Sequence, residues 1–307
     1  MRILLTGASG SIGAALLPAL TDAGHELRGF GRDPARVPAA LPFVRGDAIS
    51  GAGLDEALDG IDVAYFLIHS MEGAGGRAGF EDNERVAAEN FVAAAQRAGL
   101  RRVVYLGGLV PQEQGKALSR HLGSRLEVER ILLAGLPEAV ALRASIVIGA
   151  RSRSFRFLVH LVERMKVLAL PRWRDYRTQP IDVRDVRTFL LASATTPHAQ
   201  GGLSLDIAGP DVLTYGQMIE RIADLMLVRR RSLNIGRNAT PVLAPVAAAL
   251  AGEEAGFIGP LMESLASDLL PRDERAPELL GVRLHRFDRA VERALREWEA
   301  SEPLAAR

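Results

Sequence analysis

The 307-residue chain contains no cysteine. That absence excludes disulfides, a thiol nucleophile and thiolate metal ligation. Six histidines are present but scattered, without the spacing of a ligand set, so no metal is expected. Only Lys116 and Lys166 are lysines, so a catalytic lysine has just two addresses. No apolar run reaches the ~20 residues needed to cross a bilayer, and no transmembrane segment is expected. The first apolar run starts at Arg2, leaving no room there for a signal peptide, and cytoplasmic residence is the expectation. Charge of one sign is also missing. Lys and Arg number 38 against 37 acidic residues, a net charge of +1, so no nucleic-acid partner is expected. The bias toward arginine reads as genome composition.

With 48% hydrophobic residues, the chain can bury a core of the size that suits one large domain or one with a small appendage. Its organising stretch is RILLTGASGSIG, Arg2 to Gly13. An apolar run ends in three spaced glycines, then a helical pattern begins. Such a strand–turn–helix points free helix N–H groups at one place, where a pyrophosphate gains hydrogen bonds and the helix dipole together. Gly7 permits the turn, Gly10 lets the phosphates approach, and Gly13 lets the helix lie on the sheet.

Short apolar runs at His25 to Phe30, Phe43 to Arg45, Val63 to Ile68, Arg101 to Leu106 and Ala139 to Arg143 read as further strands. Helical patterns separate them, among them Phe80 to Ala98 and Leu118 to Ala134. Strict alternation with short connections predicts an α/β fold, a Rossmann-type doubly wound parallel sheet. It should occupy residues 1–150, with 178–196 returning to it. Beyond Gly149 the rhythm changes, and a smaller C-terminal α/β lobe is expected over 151–177 and 197–307. Its strands would include Leu203 to Ile207 and Ser232 to Ile235. Thr214 to Leu227, Pro241 to Ala251 and Ile258 to Leu269 would be helices.

Several separated stretches together resemble the atypical short-chain dehydrogenase/reductases, in the NAD(P)H-binding branch of NmrA-like proteins and NDUFA-type accessory subunits of respiratory complex I. They are TGASGSIG at Thr6 to Gly13, YFLIHSM at Tyr65 to Met71, VVYLGGL at Val103 to Leu109, LSRHLGSRLEVERIL at Leu118 to Leu132, LRASIVIG at Leu142 to Gly149, and PRW with QPIDVRDV at Pro171 to Val186. The resemblance implies a cofactor lying across the strand C-termini, with the small lobe closing over a substrate. It also implies that Asp47 and Ala48 flank the adenine and that Leu67, Ile68, His69 and Ser70 reach the ribose and nicotinamide.

The crevice of an open parallel sheet lies outside the strand C-termini where strand order reverses. That rule gathers Gly7, Ala8, Ser9, Gly10, Ser11, Ile12, Arg32, Asp47, Ala48, Leu67 to Ser70, Gly107, Gly108, Ala144, Ser145 and Ile146. NADP(H) is expected over NAD(H). The second strand ends in Gly31-Arg32, and arginine offers a planar fork to a 2′-phosphate. Asp33 is the counterweight, since a shift of one residue would set a carboxylate there. His69 reads as a positioning group, and His160 as packing. Phe155, Trp173, Tyr176 and Gln179 are expected at a substrate pocket, with Arg143 a further polar candidate; lobe packing is the competing reading of the aromatic pair Trp173 and Tyr176.

Members of the superfamily carry Tyr-x-x-x-Lys on the helix after the fifth strand. Here the matching positions are His121 and Arg125, four apart and so on one helical face. Arginine cannot shuttle a proton, and its charge beside His121 should keep that histidine neutral. The expected function is NAD(P)H-dependent reduction of a small or medium apolar carbonyl or alkene. A catalytically silent dinucleotide-binding redox sensor or assembly protein is the alternative. Arg229 to Arg231 beside the apolar Ala239 to Ala251 leaves a membrane-surface role as a third reading, with a solvated charge run beside a packed lobe helix as its bland counterpart. Oligomeric state and substrate identity are not legible.

Overall fold

Parallel strands buried on both faces need helices on both sides, and the alternating apolar runs supply them. The computed structural model describes residues 1–68, 79–112, 118–234, 265 and 267–302. It opens with β1 (Arg2–Thr6), α1 (Ser11–Asp22), β2 (Glu26–Gly31), β3 (Phe43–Arg45), α2 (Leu54–Leu58) and β4 (Val63–Phe66). Then come α3 (Phe80–Arg97), β5 (Arg102–Gly108), α4 (Arg120–Gly135) and β6 (Val140–Ala144). Past this point the elements shorten: β7 (Val147–Ile148), α5 (Arg153–Arg164), β8 (Val167–Leu170), β9 (Arg177–Thr178), β10 (Ile181–Asp182) and α6 (Val183–Thr195). The chain continues through β11 (Leu203–Ile207), β12 (Leu213–Thr214), α7 (Tyr215–Leu225), β13 (Arg231–Asn234), α8 (Ala276–Leu279) and α9 (Phe287–Glu299).

Seven strands form one sheet in the order β11-β6-β5-β4-β1-β2-β3. Every pairing in it is parallel. Side-chain alternation splits each central strand between two cores. Ile3, Leu5 and Tyr65 face Leu16 and Leu20 of α1 and Phe189 of α6. Leu4, Ala64 and Phe66 face Leu54 of α2, Phe91 of α3 and Val128 of α4. Residues 183–195 thus return to the sheet through α6.

Leu203–Ile207 departs from expectation. It is not a lobe strand but the seventh strand of the main sheet, paired from Leu203↔Val140 to Ile207↔Ala144. A five-residue apolar run looks alike wherever it pairs, so the run itself could not name its neighbour.

The lobe has its own core of Phe155, Leu158, Trp173, Met218, Ile222, Val291 and Trp298. The sequence reading missed α9. Its apolar residues Phe287, Val291, Leu295 and Trp298 recur at helical spacing and are buried, each burial stabilising by about 1.5–3 kcal/mol. The helices expected at Pro241 to Ala251 and Ile258 to Leu269 fall, but for Leu265 and residues 267–269, outside the described residues.

Candidate functional site

The sheet reverses order between β1 and β4, and Thr6 holds that seam. Its hydroxyl donates to Tyr65 O at 2.9 Å and accepts from Leu67 N–H at 3.0 Å. The chain then turns through Gly7 at φ +70°, where a Cβ would sit 2.4 Å from Leu67 O. At Gly13 a Cβ would meet Gly7 O at 2.3 Å. Neither position tolerates a side chain, because backbone stands on the other side. Helix α1 begins at Gly10 with no side-chain cap. The first amides of the helix, at Ser11, Ile12 and Gly13, lack intrahelical acceptors, and a helix start of this kind favours an anion.

At the end of β2, a Cβ at Gly31 would stand 3.5 Å from Phe43 Cζ, an ordinary van der Waals contact. Arg32 is exposed and enters no ion pair among the described residues. Asp33, which a one-residue shift would bring to the ribose, is engaged otherwise: its Oδ1 accepts from Ala35 N–H at 3.0 Å and caps a short 3-10 turn. Asp47 Oδ1 accepts from Ile49 N–H, and Ala48 is buried. Asn90 of α3 clamps this loop from behind, donating to Ala48 O at 3.1 Å and Ile49 O at 2.8 Å. Nothing local in the sequence marks Asn90, since its partners lie about forty residues earlier.

Leu67 and Ile68 follow β4 directly, one step later than the strand ends. His69 and Ser70 lie outside the described residues. Further along the edge, a cavity of about 260 Å³ is lined by Ser11 and Ile12 from α1 and by Gly107 and Gly108 at the end of β5. Ala144, Ser145 and Ile146 beyond β6 line it too, as do His121 and Arg125 from α4. The sequence-expected pair therefore faces the same space as the first turn of α1. Helix α4 is fixed near its N-terminus: Ser119 caps it, accepting from Leu122 N–H, and Ser124 Oγ donates to the buried Glu84 of α3.

Burial, and secondarily the Arg125 charge, pushes the His121 pKa down from 6.5 to about 3. The sequence names only the second cause; the larger one is desolvation, which depends on the fold. The imidazole is neutral across the physiological range, and its Nδ1 is buried without a hydrogen-bond partner among the described residues. Arg125 Nη1 donates to Leu106 O at 3.4 Å, and Tyr105 OH donates to Arg125 O at 3.2 Å.

The residues expected at a substrate pocket are placed elsewhere. Phe155 and Trp173 are buried in the lobe core, with Tyr176 packed against it. Gln179 donates from Nε2 to Gly209 O at 3.2 Å. Arg143 is held by both oxygens of Glu129 at 2.7 Å. None of the five lines the cleft. Its lobe-side wall is instead the turn from Gly149 to Ser154, with Leu269 and Glu297. The signal for that wall is a glycine followed closely by RSRS, a helix-capping pattern. No group of acidic residues and histidines among the described residues could hold a metal, and no helix among them is long and apolar enough to cross a membrane.

Residues 7–136 match a family model described as NAD(P)H-binding. The chain is 35% identical over 113 residues to a 3-beta-hydroxysteroid dehydrogenase of Mycolicibacterium neoaurum, covering 34% of this chain and 31% of that one. It is 26% identical over 148 residues to the NADH dehydrogenase [ubiquinone] 1 alpha subcomplex subunit 9, mitochondrial, of Arabidopsis thaliana, covering 48% and 36%. The chain therefore spans under two fifths of the length of these relatives. Its fold is shared with a solved short-chain dehydrogenase/reductase superfamily protein from Agrobacterium tumefaciens with bound NAD, at TM-score 0.71 and 20% identity over 98% and 99% of the two chains.

Proposed function

We propose that the chain, whose residues 7–136 match a family model described as NAD(P)H-binding, is an atypical short-chain dehydrogenase/reductase of the NmrA-like branch and works as an NADP(H)-dependent reductase. Its substrate is a small or medium carbonyl compound or alkene with an apolar body. The pyrophosphate lies on the amides of residues 7–13, the adenine by Asp47 and Ala48, and the 2′-phosphate against Arg32. The exposure of Arg32 and the engaged carboxylate of Asp33 support that choice. Leu67, Ile68, Gly107, Gly108, Ala144, Ser145 and Ile146 flank the nicotinamide end. Bound NADPH supplies a hydride to the substrate carbon.

Arg125 holds ribose hydroxyls and keeps a fixed positive charge beside the reacting centre. His121, neutral at pH 7, donates a hydrogen bond from its ring N–H, and water delivers the balancing proton. The relative named for a hydroxysteroid supports a substrate with an apolar body. The lobe contributes to selectivity through Gly149 to Ser154 rather than through its aromatic residues.

One observation carries this reading: the first turn of α1, at Ser11 and Ile12, and the His121–Arg125 face line one cleft. Fluorescence titration should give NADPH at least about tenfold tighter binding than NADH, which corresponds to ~1.4 kcal/mol. Arg32→Ala should remove the difference. Equal affinities in the native chain would end the NADP(H) assignment. Stopped-flow oxidation of bound NADPH against a carbonyl panel then tests turnover. Tight binding with no oxidation by any member would make this a silent dinucleotide-binding protein.

A further inference from the structure

Hydroxyl groups connect the cleft to the interior of the lobe, at a seam that the proposed mechanism leaves without a task. Ser145 follows β6, whose last residue Ala144 pairs with Gly108, and it lines the cleft together with that glycine. Its N–H donates to Ile207 O at 3.1 Å, which ties its backbone to the edge strand β11. Its Oγ stands 3.2 Å from Thr178 Oγ1 of β9. Ser145 is 8% exposed and Thr178 is wholly buried. The two segments are held side by side, since Ile181 N–H donates to Ile146 O at 2.9 Å and β10 lies along β7.

Tyr215, the first residue of α7, comes next. Its phenol is buried and feels the Thr178 hydroxyl at hydrogen-bonding reach, although no partner among the described residues meets it in standard geometry. Burial pushes its pKa up, so it keeps its proton. A buried O–H without an acceptor is costly, and the Thr178 oxygen has two lone pairs to offer. The buried end therefore sets the direction. With Tyr215 donating to Thr178, Thr178 gives its single proton to Ser145, and the Ser145 proton is left for the cleft. The opposite order would strand the phenol proton inside the lobe. Each donor in such a series also polarises the next.

Other hydroxyls on the cleft are placed for other work. Ser11 opens α1 on the pyrophosphate side, and Ser152 Oγ accepts from Phe155 N–H at the start of α5. We propose that Ser145 is a catalytic hydrogen-bond donor to the substrate's carbonyl oxygen, with Thr178 and Tyr215 as positioning residues behind it. This rests on the cleft being the substrate site of the reductase proposed above. As hydride passes from NADPH to the carbonyl carbon, the π pair moves onto oxygen. The Ser145 O–H, beside the His121 N–H, holds the negative charge that grows there, and a proton from water completes the alcohol, with NADP⁺ the other product. The substrate is thereby narrowed to a carbonyl compound, because an alkene without a conjugated carbonyl offers Ser145 no lone pair.

Two measurements on the full chain test it. Carbon NMR of 4-tert-butylcyclohexanone labelled with ¹³C at the carbonyl, in the presence of saturating NADP⁺, reads the hydrogen bond without turnover. The bound carbonyl signal should move upfield from native to Ser145→Ala. Stopped-flow hydride transfer from NADPH to the same ketone should slow roughly 100-fold in Ser145→Ala, with NADPH affinity unchanged, and Ser145→Thr should recover most of it. Thr178→Val should slow it roughly fivefold and Tyr215→Phe by less, each at the native melting temperature and in kcat rather than KM. Packing roles alone would leave both rates native, and that result overturns the positioning assignment. A bound carbonyl signal indifferent to Ser145→Ala, a native rate in that variant, or a slower rate traced to lost NADPH binding overturns the donor role. A ketone that fails to bind while NADPH binds overturns it too, and leaves the cofactor assignment standing. A carbonyl shift that depends on Ser145, in a protein that oxidises NADPH with no carbonyl compound, keeps the donor site and ends the reductase reading.

Discussion

The sheet and the lobe meet at one cleft but are built by different means. On the sheet side the site is main chain: a turn at Gly7, the exposed amides of α1, and carbonyls kept close because glycine has no Cβ. On the lobe side a core joins Phe155, Trp173, Met218 and Trp298, which lie far apart in sequence and meet only after the chain has crossed between the halves. A site made of backbone needs particular short sequences, because geometry there is set within a dozen residues. One made by packing needs only volume and apolarity, which many sequences supply.

The largest effect should come from the lobe. Trp298 is 1% exposed, and Trp298→Ala should lower unfolding free energy by about 3–5 kcal/mol. If the two halves are energetically separate, denaturation should split into two transitions, with NADPH affinity near native in the surviving one. A single cooperative loss of both would show that sheet and lobe fold as one unit. Next is Gly7→Ala, which forces a Cβ against Leu67 O at a positive φ. It should cost about 1–3 kcal/mol and weaken NADPH binding by roughly tenfold or more; native affinity would mean the turn is only structural.

His121 sharpens the comparison by pH. Held to about 3 against an ordinary 6.5, it stays neutral where the unfolded chain takes up a proton. Stability from this group is complete above pH 6.5 and is lost as pH falls toward 3. His121→Phe should therefore flatten the acid side of the stability curve by up to about 1.4 kcal/mol per pH unit. Superimposable curves would show that the burial is not felt. Smallest is Asn90→Ala, which frees two carbonyls of the loop after β3, at Ala48 and Ile49, and should cost about 1 kcal/mol, read by denaturant midpoint.

What was legible in the sequence follows the same division. The glycine turn, the parallel alternation and the one-face pairing of His121 with Arg125 are local patterns, and the structure carries each. Leu203–Ile207 could be read as a strand but not assigned to a sheet, since its partner Val140 to Ala144 lies some sixty residues away. Trp173 and Phe155 could be read as apolar but not as core or pocket, because only the packed lobe decides which side of an aromatic ring meets water. Asn90 and Glu84 give no sign of their roles until distant loops and helices arrive beside them. The desolvation of His121 is a property of the cleft and not of any motif.

The edge strand β11 has one more consequence. The chain leaves the sheet after β6, builds part of the lobe, returns for α6 and β11, and leaves again for α7 before α8 comes back beside β11. No single cut separates cap from base. Inheritance must then treat the molecule as indivisible: a recombination that exchanged the lobe as one cassette would carry away a strand of the partner it left behind. New specificity in such a chain arises by point changes along short stretches, and Arg151 to Ser154, which line the cleft without belonging to the lobe core that holds Ala150, are such a stretch.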